Sequence, residues 1–200
     1  MGSSKPVSED TDRSAGFSLI ELSVVIVISL IVGMIAIPNM VTVISNARLH
    51  AGLTSISGLL QASRMLAVKQ NQTMTAHFGP LDDDTLVAWA KPANDDSDRV
   101  ATDLQAEWEA PVERKDTPDG VGAPPVIENS VLGFTPQTTE PSFNTRGLPC
   151  VYAGGPCANE GFLFYFKDTS RKGNQGWAAL SISPAGRIKK WFWTGSAWVD

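Results

Sequence analysis

The apolar positions of this chain fall into three successive patterns. From Leu22 to Ile37 they are nearly continuous, without a charge and dense in Val, Ile and Leu. Counting from Phe17, 21 residues precede Pro38. At about 1.5 Å per residue they make roughly 31 Å of helix, enough to cross a hydrocarbon core of about 30 Å. The run therefore predicts a membrane helix. Beyond Pro38, the positions Val41, Ile44, Leu49, Leu53, Ile56, Leu59, Leu60 and Leu66 recur mostly three, four or seven apart. That spacing predicts an amphipathic helix with one apolar stripe, and with Ser45, Asn46, Ser55 and Ser57 on the other face. One long helix from about Ser18 to Lys69 is expected. Pro38 removes a backbone donor and, with Gly33, makes the helix bendable there. An ordinary kink and a segment that adjusts or melts during assembly both fit Pro38. Gly52 and Gly58 each cost about 1 kcal/mol relative to Ala, which allows further bending.

From Thr73 the period becomes that of strands. Strands are expected at 73–78, 85–90, 126–134, 142–144, 161–166, 178–183, 187–193 and 197–199. Residues 91–125, crowded with Asp, Glu, Pro and Gly, read as loop with a short strand near Gln105–Trp108. Phe162, Phe164 and Phe166 alternate with Leu163 and Tyr165, so both faces of that strand should be buried. Trp177, Trp191, Trp193 and Trp198 read as packing for the sheet. The fold class is α+β: a long N-terminal helix, transmembrane then amphipathic, packed on a C-terminal antiparallel β-sheet domain.

Charge is distributed unevenly. Residues 80–128 hold 13 acids and 4 bases, a net of −9, whereas 161–200 hold 6 bases and 2 acids, a net of +4. The acidic part argues against a nucleic-acid coat, and the basic tail leaves a local patch open. The acid runs Asp82–Asp84 and Asp95-Asp96-Ser97-Asp98 do not match the twelve-residue calcium loop, and solvated loops are expected. His50 and His77 are far from the two cysteines, so no zinc spacing is present. There is no serine-nucleophile elbow, phosphate loop or dinucleotide fingerprint, and neither an enzyme nor a cofactor is expected.

Glu21 stands at the mouth of the apolar run. A carboxylate there costs about 2–3 kcal/mol unless it is paired or reaches the interface. It is either solvated among headgroups or it captures a cation from another chain, for which an amine at Phe17 would serve if the chain were cut after Gly16. Gly16-Phe17-Ser18-Leu19-Ile20-Glu21-Leu22 followed by the apolar run resembles the class III signal of type IV prepilins and type II secretion pseudopilins. The likeness covers about residues 16–50. It implies cleavage between Gly16 and Phe17 by a prepilin peptidase, N-methylation of Phe17, and pairing of Glu21 with a neighbouring subunit's amine. Pro38 matches the proline that kinks such helices. The leader, residues 1–16, departs from the usual basic character, since Lys5 and Arg13 face Glu9, Asp10 and Asp12. Residues 17–37 would be the transmembrane half of the helix, 38–70 its amphipathic half, and 71–200 the globular domain.

Two later segments narrow the resemblance. Phe143-Asn144-Thr145-Arg146-Gly147-Leu148-Pro149-Cys150 and Ser183-Pro184-Ala185-Gly186-Arg187-Ile188 are similar to segments of GspH/FimT-type minor pseudopilins. The resemblance implies a structural subunit of a type II secretion filament, anchored in the bacterial inner membrane with its N-terminus cytoplasmic and its domain periplasmic. Its partners would be the peptidase, other pilins and inner-membrane lipid. In that oxidising compartment Cys150 and Cys157, with six residues between them, would form a bridge, two free thiols being the alternative. Some FimT-like pilins take up DNA through a Gly-Arg-x-Arg stretch. Here Gly186-Arg187-Ile188-Lys189, with Lys190 beside it, keeps the charge but loses the second planar fork. A DNA-binding minor pilin is thus the alternative, against a strand with ordinary solvated charges.

Overall fold

The computed structural model describes residues 18–80, 85–95, 97–100, 103–109 and 112–200; side chains at 36–39, 41, 80, 85 and 109 lie outside the description. The chain parts into two units between Val41 and Thr42, and the helix α1 (Leu19–Gln70) contributes to both. Backbone at Pro38 is helical. In the first unit the large apolar side chains from Leu19 to Ile35 are each between 50% and 85% exposed, on every side of the helix.

Within the second unit, α1 buries one stripe: Ser45, Leu49, Gly52–Leu53, Ile56–Ser57, Leu59–Leu60, Ser63 and Ala67. The expected stripe is right in its centre and wrong at its start. Ile44 is exposed, while Ser45 and Ser57, assigned to the solvent face, are buried. For Ser45 the reason is chemical. Ser45 Oγ donates to the Asp168 carboxylate, and Ser63 Oγ donates back to Leu59 O at 2.8 Å, so small hydroxyls are satisfied while the helix approaches closely. Gly52 serves the same approach, its Cα facing the Trp108 side chain. The helix ends at Asn71, whose left-handed φ of 52° lets Gln72 N bond to Ala67 O at 3.2 Å.

Two sheets follow. The first runs β3-β2-β1-β6-β7-β8, built from β1 (Met74–Pro80), β2 (Thr85–Pro92), β3 (Leu104–Glu109), β6 (Ser142–Phe143), β7 (Pro149–Val151) and β8 (Ala158–Asn159). The second runs β12-β11-β10-β9-β4, from β4 (Val112–Lys115), β9 (Gly161–Asp168), β10 (Trp177–Ile182), β11 (Ile188–Trp193) and β12 (Trp198–Val199). Neighbours are antiparallel, except that β5 (Pro136–Gln137) pairs parallel with β9. Strand β9 is buried on both faces, as its alternation predicts. Phe162, Phe164 and Phe166 join the core formed with α1, and Leu163 and Tyr165 join a second cluster with Ile127, Trp177 and Trp191.

Two expectations fail. Strand β4 lies inside the stretch read as loop, because Val112-Glu113-Arg114-Lys115 has only one apolar residue. Arg114 supplies the missing packing with its guanidinium plane, 4.8 and 4.9 Å from the centroids of Phe78 and Phe164. The strand expected at 126–134 is instead a single helical turn, α2 (Asn129–Leu132), closed by Gly133 in the left-handed region at φ 79°. Glu128, Asn129 and Ser130 favour a helix start over a ladder, and Ile127 N is taken by Tyr165 Oη at 2.9 Å.

Phe134 after that turn lies where a side chain on Gly161 would begin: an added Cβ would come within 2.2 Å of the ring. Gly161→Ala should therefore lower stability by roughly 3 kcal/mol, read as the urea midpoint. An unchanged midpoint would mean that the ring moves aside freely.

Candidate functional site

Gly16 and Phe17 lie outside the described residues. Glu21 is described, exposed in the first turn of α1, where the helix dipole favours a carboxylate. No cation pairs with it among the described residues. It heads a rod that is apolar all round, a pattern that belongs inside lipid or a protein core rather than in water. Among the described residues no helix is both long and apolar enough to cross a membrane. From Leu19 the described side chains run without a break to Ile35, about 24 Å along a helix. The sequence itself carries the run on through Ala36 and Ile37.

Cys150 and Cys157 are joined by a disulfide, with Cα atoms 5.4 Å apart. Cys150 is fully buried in β7. The bridge closes the loop that packs beside the Asn144–Leu148 turn, where the Asn144 side chain accepts from Arg146 N at 2.9 Å and Leu148 N at 3.0 Å.

The three bases suggested for DNA do not form one patch. Arg187 lies in the turn before β11, whose closure is Gly186 N to Ser183 O at 2.7 Å. Lys189 is paired with Asp200 and sits 4.8 Å over the Trp191 ring. Lys190, on the other face of β11, reaches Thr54 Oγ1 of α1 at 3.4 Å. The structure gathers a different set. Arg64 and Lys69 of α1 and Arg146 line a groove of about 580 Å³ with Met65, Val68 and Gly186, and among the described residues no acid lines it. Arg64 Nη1 donates to Gly186 O at 3.2 Å. Arg64 and Lys69 were legible only as scattered helix charges; that they face one loop is a tertiary fact.

In the acidic region a buried lysine gathers the loop around its ammonium. Lys91 is 3% exposed. Its ammonium donates to Ser97 Oγ at 2.7 Å, Ser97 O at 3.1 Å and Asp98 O at 2.5 Å, with Asp95 and Asp103 carboxylates at 3.9 and 3.7 Å. Asp82–Asp84 and Asp96 lie outside the description. Among the described residues no cluster of His, Cys, Asp and Glu could hold a metal ion.

Two carboxylates are tied into the fold. Burial raises the pKa of Asp168, but hydrogen bonds from Ser170 and Ser45 and the charge of Arg48 outweigh it, and the group ends below the usual carboxylate range. Glu140 is likewise raised by burial and then pulled lower overall by His77, at 2.8 Å, by Phe78 N and by Arg114. A depressed folded pKa contributes stability that is present above the unfolded value, about 4, and is lost as pH falls through the folded value. The thermal midpoint should thus fall steadily from about pH 5 downward. Asp168→Asn with Glu140→Gln should flatten that fall; an equally steep profile would assign it to other groups.

Residues 11–37 match the family described as the prokaryotic N-terminal methylation motif. The chain carries that N-terminal signal, and its long helix followed by antiparallel sheets is an α+β fold. Among solved structures it is similar to the type IV minor pilin FimU of Pseudomonas aeruginosa strain PAO1, in two crystal forms. Identity is 16% in each, with TM-scores of 0.39 and 0.38. The matches cover 76% and 78% of this chain, and 96% and 94% of FimU. No curated protein sequence matches the chain significantly.

Proposed function

We propose that this chain is a minor pseudopilin, a non-enzymatic structural subunit of a type II secretion filament. It waits in the inner membrane with its N-terminus cytoplasmic and its globular unit periplasmic. Prepilin peptidase cuts between Gly16 and Phe17 and the new Phe17 amine is methylated. The subunit then moves from lipid into the filament core. The observation that carries this reading is the all-round apolar exposure of α1 from Leu19 to Ile35, headed by the Glu21 carboxylate, which no cation meets among the described residues. Such a rod suits two apolar environments in turn, and its acid suits a cation on the next subunit. Pro38 would let the helix adjust between the two.

The alternative, a pilus minor pilin that binds DNA, is favoured by one observation: the groove of Arg64, Lys69 and Arg146 beside the Gly186-Arg187 turn. One titration separates the readings. If DNA is the ligand, affinity should fall linearly with salt on logarithmic axes, with a slope of about −0.7 to −0.9 per phosphate contacted. Arg64→Ala with Arg146→Ala should then abolish binding. The secretion reading expects no measurable binding at about 0.15 M salt, together with recovery of the chain in sheared filaments made by a secretion system; salt-steep DNA binding would contradict it.

A further inference from the structure

The groove between the end of α1 and the Asn144–Leu148 turn joins charge to exposed apolar surface. Met65 is 69% exposed and Val68 52%, and Ile188 borders them. Arg64, Lys69 and Arg146 rim this floor, and among the described residues no acid lies within ion-pair distance of any of the three. Arg64 is held in place. Its Nη1 donates to Gly186 O, and a Cβ on Gly147 would come within 2.9 Å of its side chain. Both glycines are left-handed, at φ 73° and 82°, so the two turns close on the arginine where a larger residue would not fit. Apolar side chains in water, ringed by fixed cations of one sign, fit a partner that carries acids around an apolar group.

The chain itself carries that chemistry. Between Pro80 and Thr85 it reads Leu81-Asp82-Asp83-Asp84, one aliphatic side chain and three carboxylates for one apolar floor and three bases. No chain can place this segment in its own groove. Pro80 pairs with Leu86, Leu86 pairs with Trp108, and the Trp108 side chain packs on Gly52. Gly52 precedes Arg64 by twelve residues, about 18 Å along the helix. Four residues tied at both ends reach out about 9 Å at most. Two copies offset along the helix axis can make the contact. It joins unlike faces, so it can repeat without closing, as a filament requires.

We propose that the groove of Arg64, Lys69 and Arg146 receives the Leu81–Asp84 segment of a second copy of this chain, with Leu81 against Met65 and Val68 and the aspartates against the three bases. The proposal rests on the filament-subunit reading given above and names a contact within it. Surface charge pairs are weak one at a time, so the contact forms where neighbouring helices already hold the copies side by side.

The test puts the photoreactive residue p-benzoylphenylalanine in place of Met65 in the full chain, expressed in its own cells with the rest of the filament machinery. Irradiated, sheared filaments should yield a dimer whose cross-linked peptide, identified by mass spectrometry, contains Leu81–Asp84. Arg64→Glu with Arg146→Glu should cut the dimer at least tenfold, and adding Asp82→Lys with Asp84→Lys to the same chain should restore it. Arg171→Glu with Lys172→Glu, an equal reversal away from the groove, should leave it unchanged. Circular dichroism of each variant in detergent confirms that it folds. A cross-link to nucleic acid, to a different protein or to another segment of this chain would overturn the proposal, and so would a charge reversal that the aspartate changes do not rescue. Filaments that contain the chain but give no dimer sink this contact alone. Absence of the chain from filaments sinks the subunit reading, and the contact with it.

Discussion

Gly16→Val is expected to leave the chain as a full-length precursor with its sixteen-residue leader attached, with no copies reaching a filament. Cleavage requires an extended backbone to approach a catalytic centre closely, and glycine is the residue whose missing Cβ allows it. The effect is near all-or-none because it removes the covalent step on which everything later depends. Without the cut there is no amine at Phe17, hence no methylation and no ammonium for the neighbour's Glu21. A gel of membranes from cells expressing the peptidase reads the result directly, as one slower band in place of the mature one. A mature band from Gly16→Val would place the cut elsewhere.

Glu21→Ala is expected to do the opposite: normal cleavage and normal insertion, with incorporation into filaments reduced at least tenfold. The carboxylate costs about 2.5–3.5 kcal/mol if held unpaired in hydrocarbon, so alanine makes insertion slightly easier. What it removes is the attraction that fixes one helix against the next. On the proposed mechanism that attraction would set axial register as well as affinity in a low-dielectric filament core, because it acts between a single acid and a single amine. Glu21→Gln separates charge from shape. It keeps the side chain's size and an acceptor oxygen but cannot form an ion pair, so it should fail nearly as fully as alanine. Incorporation of the glutamine variant at the wild-type level, measured in sheared filaments, would assign Glu21 to the helix start alone.

Both expectations were legible in the sequence, since they rest on neighbours along one chain: Gly16, Phe17, Glu21 and an uninterrupted apolar run. The strands with apolar alternation were legible too, as in β9 and β10. The rest depended on contacts that pattern does not encode. Strand β4 was hidden because an arginine, not an aliphatic, covers Phe78 and Phe164. Ser45 looked like solvent face until Asp168, 123 residues later, supplied its acceptor. No sequence pattern marks Lys91 within the acidic region, and only its contacts with Asp95, Ser97, Asp98 and Asp103 make it a buried hub. Arg187, Lys189 and Lys190 looked like a patch in sequence, but strand alternation sends Lys189 and Lys190 to opposite faces and Asp200 claims the first of them.

The most direct measurement is the intact mass, with N-terminal sequencing, of the chain recovered from the envelope of its own cells. The expected species starts at Phe17 and carries one methyl group on its α-amine. A population beginning before Gly16, or one whose Phe17 amine is unmethylated in every filament fraction, would contradict a subunit that is cut, capped and held by its neighbour's acid.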